Sequence, residues 1–223
     1  MSEAAAANGG LAVFDLDGTI TRADTLAPFI LGYLWRAPWR LPRLLAVLPS
    51  LGRFCFDRDR GALKGALIHT TLGGLTRVEL SRWSEHFVAG LLRHGVYRQA
   101  LQAIDAHRMQ GDRLVLMSAS TDLYVPQIGQ ALGFGEVICT RVRWHSDGRL
   151  DGHLASPNCR EMEKQRQLTA LIERLAPGRV YTYGNSGADL PHMQLATEAI
   201  LVNGPSRVRR GATSGLRYVR WRH

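Results

Sequence analysis

The stretch GGLAVFDLDGTITRAD, residues 9–24, decides the fold, because an apolar run ends in two aspartates that stand one residue apart. The run LAVFD (11–15) has the length and β character of a buried strand, and Gly-Thr follows as a turn. Asp15 and Asp17 therefore lie at a strand end and face the same small volume. Two carboxylates this close repel each other unless a cation or a shared proton compensates them. The stretch predicts a metal site.

Three further apolar runs of strand length follow, with helical segments between them: RLVLMS (113–118), RVYTY (179–183) and AILVN (199–203). Strands that alternate with helices predict an α/β fold, a Rossmann-like parallel sheet flanked by helices. In such sheets chemistry gathers at the carboxyl ends of the strands. Asp15, Ser118 and the stretch GNSGAD (184–189) all lie at predicted strand ends.

The pattern changes between residues 24 and 97, where no β run appears. The segments with helical periodicity are TLAPFILGYLWR (25–36), RLPRLLAVLPSLGRFCF (40–56), GALKGALIHTTL (61–72) and TRVELSRWSEHFVAGLLR (76–93). We therefore expect an all-helical cap over 22–97, inserted after the first strand of a core formed by 1–21 and 98–223. A later stretch, RVRWHSDGRLDGHL (141–154), alternates around Ser-Asp-Gly and predicts a β-hairpin at the sheet edge.

The 223-residue chain has the composition of an ordinary globular protein, large enough to bury a substantial core. Its start, MSEAAAANGG, lacks the basic and apolar regions of a secretory signal, and we expect a frayed tail there. The chain has three cysteines, Cys55, Cys139 and Cys159, which is an odd number, and their spacing is not that of a zinc site. These features predict a cytoplasmic protein without a structural metal.

A formal net charge of +9 is compatible with anionic partners, either nucleic acid or a membrane surface. Only Lys64 and Lys164 are lysines, and the arginine bias indicates GC-rich coding, which weakens a functional interpretation of the charge. In the basic segment RVRRGATSGLRYVRWRH (207–223), we favour a solvated face with a final edge strand over a binding patch. No nucleic-acid-reading motif is recognisable, so no nucleic acid partner is expected.

The segment from residue 25 to 56 is rich in Leu, Trp and Phe, but Arg and Pro interrupt it too often for a membrane-spanning helix. Two interpretations stay open. Apolar faces with interspersed Arg and Trp suit a helix in a membrane interface. They also suit cap helices packed on one another, which is the interpretation we favour.

Four elements in chain order have the chemistry of phosphoryl transfer: DLDGT (15–19), SAS (118–120), Lys164 and GNSGAD (184–189). A carboxylate at a strand end can attack phosphorus. A second carboxylate two residues on can protonate the leaving oxygen and later activate water. Mg²⁺ takes oxygen ligands and neutralises carboxylate and phosphate together. Ser118, nearby backbone N–H groups and Lys164 can hold the phosphoryl oxygens.

Each of these residues also has an interpretation without chemistry. Asp15 and Asp17 are of the type that caps a turn, although a cap needs one aspartate and not two. Lys164 has the residue type of a solvated helix lysine. Ser118 and Ser120 are candidate N-caps for a helix over TDLYVPQIGQAL (121–132), and we assign that role to Ser120 and leave it out of the site.

DLDGT, RLVLMSAS (113–120), the lysine of CREMEKQRQL (159–168) and YGNSGADLPHM (183–193) together resemble the four motifs of the haloacid-dehalogenase (HAD) superfamily. The resemblance covers nearly the whole chain and is closest to the phosphoserine-phosphatase-like branch, which has a helical cap after the first motif. It implies a phosphatase in which Asp15 is the nucleophile, Asp17 is the acid/base, and Ser118 and Lys164 hold the phosphate. The resemblance also implies ligands for Mg²⁺, namely Asp15, Asp17, Asn185 and Asp189. The substrate contacts it implies are Gly18, Thr19, Ala119 and Asp24.

One residue departs from the family pattern, because an aspartate usually stands where this chain has Asn185. Asparagine offers a neutral oxygen to a hard cation and no charge. We therefore expect this chain to bind Mg²⁺ more weakly than is usual in the family, and we expect Asp189 to contribute a larger share of the binding.

The substrate is less well defined. Phosphoserine phosphatases of this branch carry DFDST and a cap glutamate, where this chain has DLDGT and Asp24, which weakens a phosphoserine assignment. The stretch DTLAPFILGYLWRAPWRLPRLLAVLPSL (24–51) resembles the same region of bacterial phosphatidylglycerophosphate phosphatases. That resemblance implies a lipid phosphate and peripheral contact with the anionic inner face of a membrane. Phosphoserine or another small metabolite, and a non-catalytic phosphate- or partner-binding scaffold, remain the alternatives.

Overall fold

The first strand, β1 (Leu11–Phe14), is an inner strand of a six-stranded parallel sheet. Its four side chains are fully buried: Ala12 and Phe14 pack into one apolar cluster, and Leu11 and Val13 into another. A strand that is buried on both faces has a continuous apolar sequence, as LAVF does. The computed structural model describes residues 9–206, 208 and 216–222. The expected frayed tail therefore lies mostly outside the described residues.

The other five strands of this sheet are β2 (Arg113–Thr121), β3 (Glu136–Thr140), β6 (Val180–Gly184), β7 (Glu198–Val202) and β8 (Leu216–Val219). The strand order is β3-β2-β1-β6-β7-β8, and every neighbouring pair is parallel. The predicted α/β fold class is confirmed. β3 was not predicted. β8 is the final edge strand expected in the basic C-terminal segment, of which 207, 209–215 and 223 lie outside the described residues.

Helices cover both faces of the sheet: α5 (Arg98–Met109), α6 (Val125–Ala131), α7 (Met162–Leu175) and α8 (Leu190–Met193). Leu168 and Leu171 of α7 belong to the cluster that contains Leu11 and Val13. The cluster on the other face takes apolar side chains from α5 and α6. The result is a layered α/β/α arrangement that leaves the ends of the strands accessible.

Residues 26–94 form helices and, among the described residues, no strand. Their elements are α1 (Leu26–Arg36), a 3₁₀ segment (Pro38–Val47), α2 (Leu48–Asp57), α3 (Arg60–Leu72) and α4 (Arg77–His94). The single helix predicted over 40–56 is divided in two. Pro42 and Pro49 lack the N–H group that a continuous α-helix needs, which accounts for the break.

The chain enters and leaves this helical part through one short antiparallel contact. Thr21 pairs with Val96, the Arg22 amide donates to the Gly95 carbonyl at 2.8 Å, and the Tyr97 amide donates to the Ile20 carbonyl at 3.0 Å. These bonds support the proposed boundary between a core (1–21 and 98–223) and a helical cap (22–97). That division stays a prediction.

The predicted hairpin is present as β4 (Val142–Trp144) and β5 (Leu150–Leu154), which pair antiparallel. It follows the edge strand β3, but its backbone bonds outside the hairpin reach the helical part. The Leu150 amide donates to the Leu75 carbonyl, and the Gly74 amide donates to the Leu150 carbonyl, both at 2.8 Å. Gly152 (φ +90°) permits a close approach, since a Cβ there would lie 2.6 Å from the His69 Cα.

No helix among the described residues combines the length and apolar character that crossing a bilayer requires.

Candidate active site

Three neighbouring strands, β2, β1 and β6, end at the same edge of the sheet. The pairing of β1 with β6 continues past Phe14, because the Asp15 amide donates to the Tyr183 carbonyl at 2.9 Å. The segments that follow β1 and β6 therefore meet the end of β2. The predicted residues brought together there are Asp15, Asp17, Gly18, Thr19, Ser118, Ala119, Lys164, Asn185 and Asp189.

Lys164, in the first turn of α7, lies between two carboxylates. Its buried Nζ donates to Asp15 Oδ1 at 2.6 Å and to Asp189 Oδ1 at 2.8 Å. Burial alone would lower the pKa of the ammonium, but Asp15 and Asp189 raise it, so Lys164 is cationic. The interpretation of Lys164 as a solvated helix lysine is therefore wrong.

Asp15 accepts a second hydrogen bond from the hydroxyl of Thr19, with Oγ1 at 2.9 Å from Oδ2. Thr19 is fully buried in the turn Leu16–Ile20, so water does not compete for this bond. Burial raises the pKa of Asp15 to about 7, and Lys164 opposes that shift. The positive charge of Lys164 therefore compensates only part of the negative charge of the buried carboxylates.

Asp17 joins the end of β2 to the start of α1. Oδ1 accepts hydrogen bonds from the amide and hydroxyl of Thr25 at 2.7 and 2.6 Å, and Oδ2 accepts one from Ser120 Oγ at 2.7 Å. Burial raises the pKa of Asp17, while the bonds from Ser120 and Thr25 oppose that shift. Asp17 therefore holds a proton more readily than an exposed aspartate, as a general acid must. A turn-capping role does not account for these contacts.

The structure contradicts the predicted role of Ser120 as a helix cap. β2 continues to Thr121, and α6 begins only at Val125. The β2–β3 pairing shifts register between Ser118 and Thr121, and both serines there donate to Asp17 Oδ2, Ser118 at 3.4 Å. Ser118 is fully buried, whereas Ser120 lines the cleft described below. Ser120 therefore belongs to the site.

The loop after β6 is organised by Asp189. Its Oδ2 accepts hydrogen bonds from the amides of Asn185 and Ser186 at 3.2 and 3.0 Å, and from Ser186 Oγ at 2.8 Å. Burial would raise the pKa of Asp189, but Lys164 holds it well below its usual range. The amide group of Asn185 packs against Gly18 (φ +79°), where a Cβ would lie 2.0 Å from Nδ2. Only glycine allows this contact between the two loops.

Lys64 also lies at this site, although the sequence patterns did not predict it. From α3, its Nζ donates to the Ala119 carbonyl at 2.5 Å and to Asn158 Oδ1 at 2.6 Å. Burial lowers the pKa of Lys64 to about 8. A signal was available, because Lys64 and Lys164 are the two lysines of a chain whose other basic residues are arginines. Both lie beside the predicted phosphate site.

A cleft of about 710 Å³ opens above these groups, between the sheet edge and the helices α1, α2 and α3. Asp24, predicted to contact the substrate, lies on its wall, where Oδ1 accepts hydrogen bonds from the amides of Leu26 and Ala27 at 3.0 and 3.3 Å. The other walls of the cleft combine apolar and basic side chains. The apolar ones are Leu26, Phe54, Leu63 and Leu67, and the basic ones are Arg22, Arg60, Lys64 and Arg160. The cleft suits an anionic molecule with an apolar part.

The donor set at the base of the cleft fits a hard divalent cation. The carboxylates of Asp15, Asp17 and Asp189 lie there with the side-chain amide of Asn185. Among the described residues, Lys164 is the one cation in ion-pair contact with these carboxylates. Carboxylate and amide oxygens are ligands that Mg²⁺ takes, and the uncompensated negative charge is of the kind that a cation would balance.

Comparison with known proteins identifies the family. The model of the family described as haloacid dehalogenase-like hydrolase matches residues 12–194. Protein CicA of Caulobacter vibrioides is 34% identical over 195 residues, which cover 84% of this chain and 83% of CicA. A histidinol-phosphatase of Neisseria meningitidis is 25% identical over 214 residues, covering 91% of this chain and 94% of that protein.

Solved structures have the same fold. A protein of unknown function from Bordetella pertussis has a TM-score of 0.80 at 22% identity, with 95% of this chain and 98% of that chain covered. A probable phosphoserine phosphatase from Vibrio cholerae has a TM-score of 0.72 at 15% identity, with 97% and 62% covered. The chain therefore belongs to the haloacid dehalogenase-like hydrolase family, and the predicted class, a phosphatase of this family with a fold like that of phosphoserine phosphatases, is confirmed.

Proposed function

We propose that this protein is a Mg²⁺-dependent phosphomonoester hydrolase that acts through an aspartyl-phosphate intermediate. The observation that carries the proposal is the position of Lys164 between Asp15 and Asp189, beside an Asp17 that is bound to Ser120. This arrangement offers a nucleophile, a proton donor and a fixed positive charge within one cleft. A non-catalytic scaffold would have no need of this combination.

In the first step, the Asp15 carboxylate attacks phosphorus and forms an acyl phosphate, and the bond from phosphorus to the ester oxygen breaks. Protonated Asp17 gives its proton to the leaving oxygen. Lys164 stabilises the Asp15 carboxylate and the phosphoryl oxygens, and Ser118 fixes the end of β2 by accepting a hydrogen bond from the Ser120 amide at 3.0 Å. The alcohol then leaves the cleft.

In the second step, Asp17 is a carboxylate and takes a proton from water as that water attacks phosphorus. The bond between phosphorus and Asp15 breaks, inorganic phosphate leaves, and both aspartates return to their starting states. The environment of Asp17 suits both roles, since burial favours its protonated form while Ser120 and Thr25 stabilise its carboxylate.

We assign Mg²⁺ to Asp15, Asp17, Asn185 and Asp189. When bound, the ion would supply positive charge to the nucleophile and the phosphoryl oxygens together. Asp189 also keeps the loop in place through the amides of Asn185 and Ser186. Asn185 is the member of the set that contributes an oxygen without charge, so the site should bind Mg²⁺ more weakly than a site with a fourth carboxylate.

For the substrate, we propose a lipid phosphate. The helix α1, the 3₁₀ segment and α2 expose large apolar side chains, among them Trp35, Trp39, Leu45, Leu48 and Phe56. Six arginines lie between residues 36 and 60 against two acidic residues. Apolar side chains among arginines are typical of surfaces that meet anionic lipid, so we propose peripheral contact with the inner face of the cytoplasmic membrane.

The alternative substrate is a small soluble monoester. The name of the Neisseria relative, histidinol-phosphatase, favours it, since that relative aligns over most of both chains. Phe29, Ile30 and Leu34 of α1 are also buried inside the protein, as helices packed on one another require. Activity on lipid and soluble phosphates therefore has to be compared directly.

The first prediction concerns the two aspartates of the first motif. Asp15→Asn should lose turnover by about a thousandfold or more, because the amide is not a nucleophile. Asp17→Asn should lose more activity on alkyl phosphates than on aryl phosphates, because alkoxides need a proton to leave. Steady-state rates on both substrate types measure these effects.

Asp105→Asn is the matched control, since Asp105 is an exposed aspartate whose carboxylate pairs with Arg108. It should retain wild-type rates, and thermal unfolding of all variants checks that they are folded. Turnover of folded Asp15→Asn near the wild-type rate, or equal losses on alkyl and aryl phosphates in Asp17→Asn, would contradict the assigned roles.

The second prediction concerns Asn185. Asn185→Asp adds a charge at nearly constant shape, so the Mg²⁺ concentration for half-maximal rate should fall. Ser186→Ala is the control, because it removes a hydrogen bond to Asp189 in the same loop without adding charge, and it should not lower that concentration. If Asn185→Asp leaves the half-saturation point unmoved or raises it, Asn185 is not a metal ligand.

The third prediction concerns the membrane. The protein should sediment with phosphatidylglycerol vesicles at low salt and be released at high salt. Trp39→Ala and Phe56→Ala should each weaken this binding by about tenfold, because each removes a large apolar side chain from the interface. Met109→Ala, which removes an exposed apolar side chain at the end of α5, should have no effect. Absence of vesicle binding, with high activity on a soluble phosphate, would favour the small-metabolite alternative.

A further inference from the structure

A second cluster of potential metal ligands lies outside the active site, where α3 meets the hairpin. It consists of His69 near the end of α3 and Asp151 and His153 on β5. One ligand atom from each residue lies within 4.8 Å of the other two. His153 Nδ1 is 2.7 Å and His69 Nδ1 is 3.3 Å from the same atom, Asp151 Oδ1.

The local backbone explains why these groups meet. Asp151 and His153 stand two residues apart on one strand, the spacing that lets two side chains share a face. Between them, Gly152 brings the β5 backbone against His69, where any side chain would collide with the helix. The rings of His69 and His153 consequently lie side by side, with centroids 4.3 Å apart. The close contact between α3 and β5 thus assembles all three ligands.

We propose that His69, Asp151 and His153 form a binding site for a divalent late transition metal ion such as Zn²⁺. Two imidazoles and one carboxylate are ligands for Zn²⁺ and its neighbours in the first transition row, and not the all-oxygen set of Mg²⁺ or Ca²⁺. Bonds of about 2.0–2.1 Å in tetrahedral geometry place neighbouring ligand atoms about 3.3 Å apart. His69 Nδ1 already has this separation from Asp151 Oδ1, and His153 Nδ1 needs to move outward by about half an ångström.

The surroundings leave the site accessible and orient its carboxylate. The side chains of His69 and His153 are about half exposed (49% and 48%), whereas that of Asp151 is buried (6%). Water can therefore complete the coordination. Arg143 Nε binds the other carboxylate oxygen, Asp151 Oδ2, and so directs Oδ1 toward the imidazoles. A hydrogen-bonded carboxylate of this kind is usual beside protein metal ligands.

Protons and charge also balance. His69 Nδ1 donates to the backbone carbonyl of Asp151 at 2.6 Å, so a metal ion bound at Nδ1 of both rings replaces this hydrogen bond and leaves the proton of each imidazole on Nε2. Arg143 already compensates part of the charge of Asp151, so the affinity should be moderate. The bound ion would join α3 to β5 beside the backbone hydrogen bonds that Leu150 makes with Gly74 and Leu75. Because α3 also positions Lys64 at the cleft, the bound ion would stabilise one wall of that cleft.

The test is a calorimetric titration of Zn²⁺ into the full chain with excess Mg²⁺ present, so that the oxygen site of the cleft is occupied. All proteins carry Cys55→Ser, since Cys55 is an exposed thiol that could bind Zn²⁺ by itself. We expect one equivalent of Zn²⁺ to bind. His69→Ala and His153→Ala should each weaken binding by at least about tenfold, since each removes a direct ligand.

His145→Ala is the matched control, because His145 is an exposed histidine on the same hairpin that is outside the cluster. It should bind Zn²⁺ as the parent does. Thermal unfolding gives an independent readout: Zn²⁺ should raise the midpoint of the parent and the His145 variant but not those of the other two. Absence of binding by the parent, or equal binding by the His69 and His153 variants, would overturn the proposal.

Discussion

The ion pairs of Lys164 with Asp15 and Asp189 are the interaction on which the site depends. A buried ammonium costs free energy to desolvate, and two carboxylates at 2.6 and 2.8 Å offset that cost. The same contacts connect the end of β1 and the loop after β6 to the first turn of α7. Removing Lys164 would leave both carboxylates buried without their cationic partner, which is far more costly than losing a surface pair, whereas removing either aspartate leaves Lys164 paired with the other.

Asp17 extends this network in the other direction. It connects the turn after β1 to Ser120 at the end of β2 and to Thr25 at the start of α1. The first motif therefore contacts the end of β2 and the start of α1 at once. A change in the position of α1 would reach Asp17 through these hydrogen bonds, so in the proposed mechanism the position of α1 would affect the proton transfer assigned to Asp17.

Much of this arrangement could be predicted from the sequence, because strongly apolar strands that end in polar residues predict both a parallel sheet and its functional edge. The order of the motifs was enough to single out Lys164. Ser120 was misassigned because a serine before a helical pattern is typical of a cap, and a register shift in β2 is not visible in the sequence. β3 was missed because EVICT is short and contains a glutamate and a cysteine.

Contacts between distant segments could not be predicted from the sequence. Lys64 reaches Ala119 from 55 residues away, and His69 meets Asp151 from 82 residues away. The number and spacing of cysteines predict no structural metal, but that criterion does not consider histidine and aspartate side chains that a hairpin brings against a helix. In both cases α3 packs closely against its neighbours near small residues such as Gly61, Gly65 and Gly152, and this packing brings the distant side chains into contact.

The central claim, that Asp15 is the nucleophile, is tested most directly by trapping the intermediate. The protein would be mixed with an aryl phosphate and Mg²⁺, quenched in acid during turnover, and treated with borohydride, which reduces an acyl phosphate to an alcohol. Peptide mass spectrometry then locates the reduced residue. We expect homoserine at position 15. Homoserine at position 17, or no reduced peptide from protein that was turning over when quenched, would contradict the mechanism.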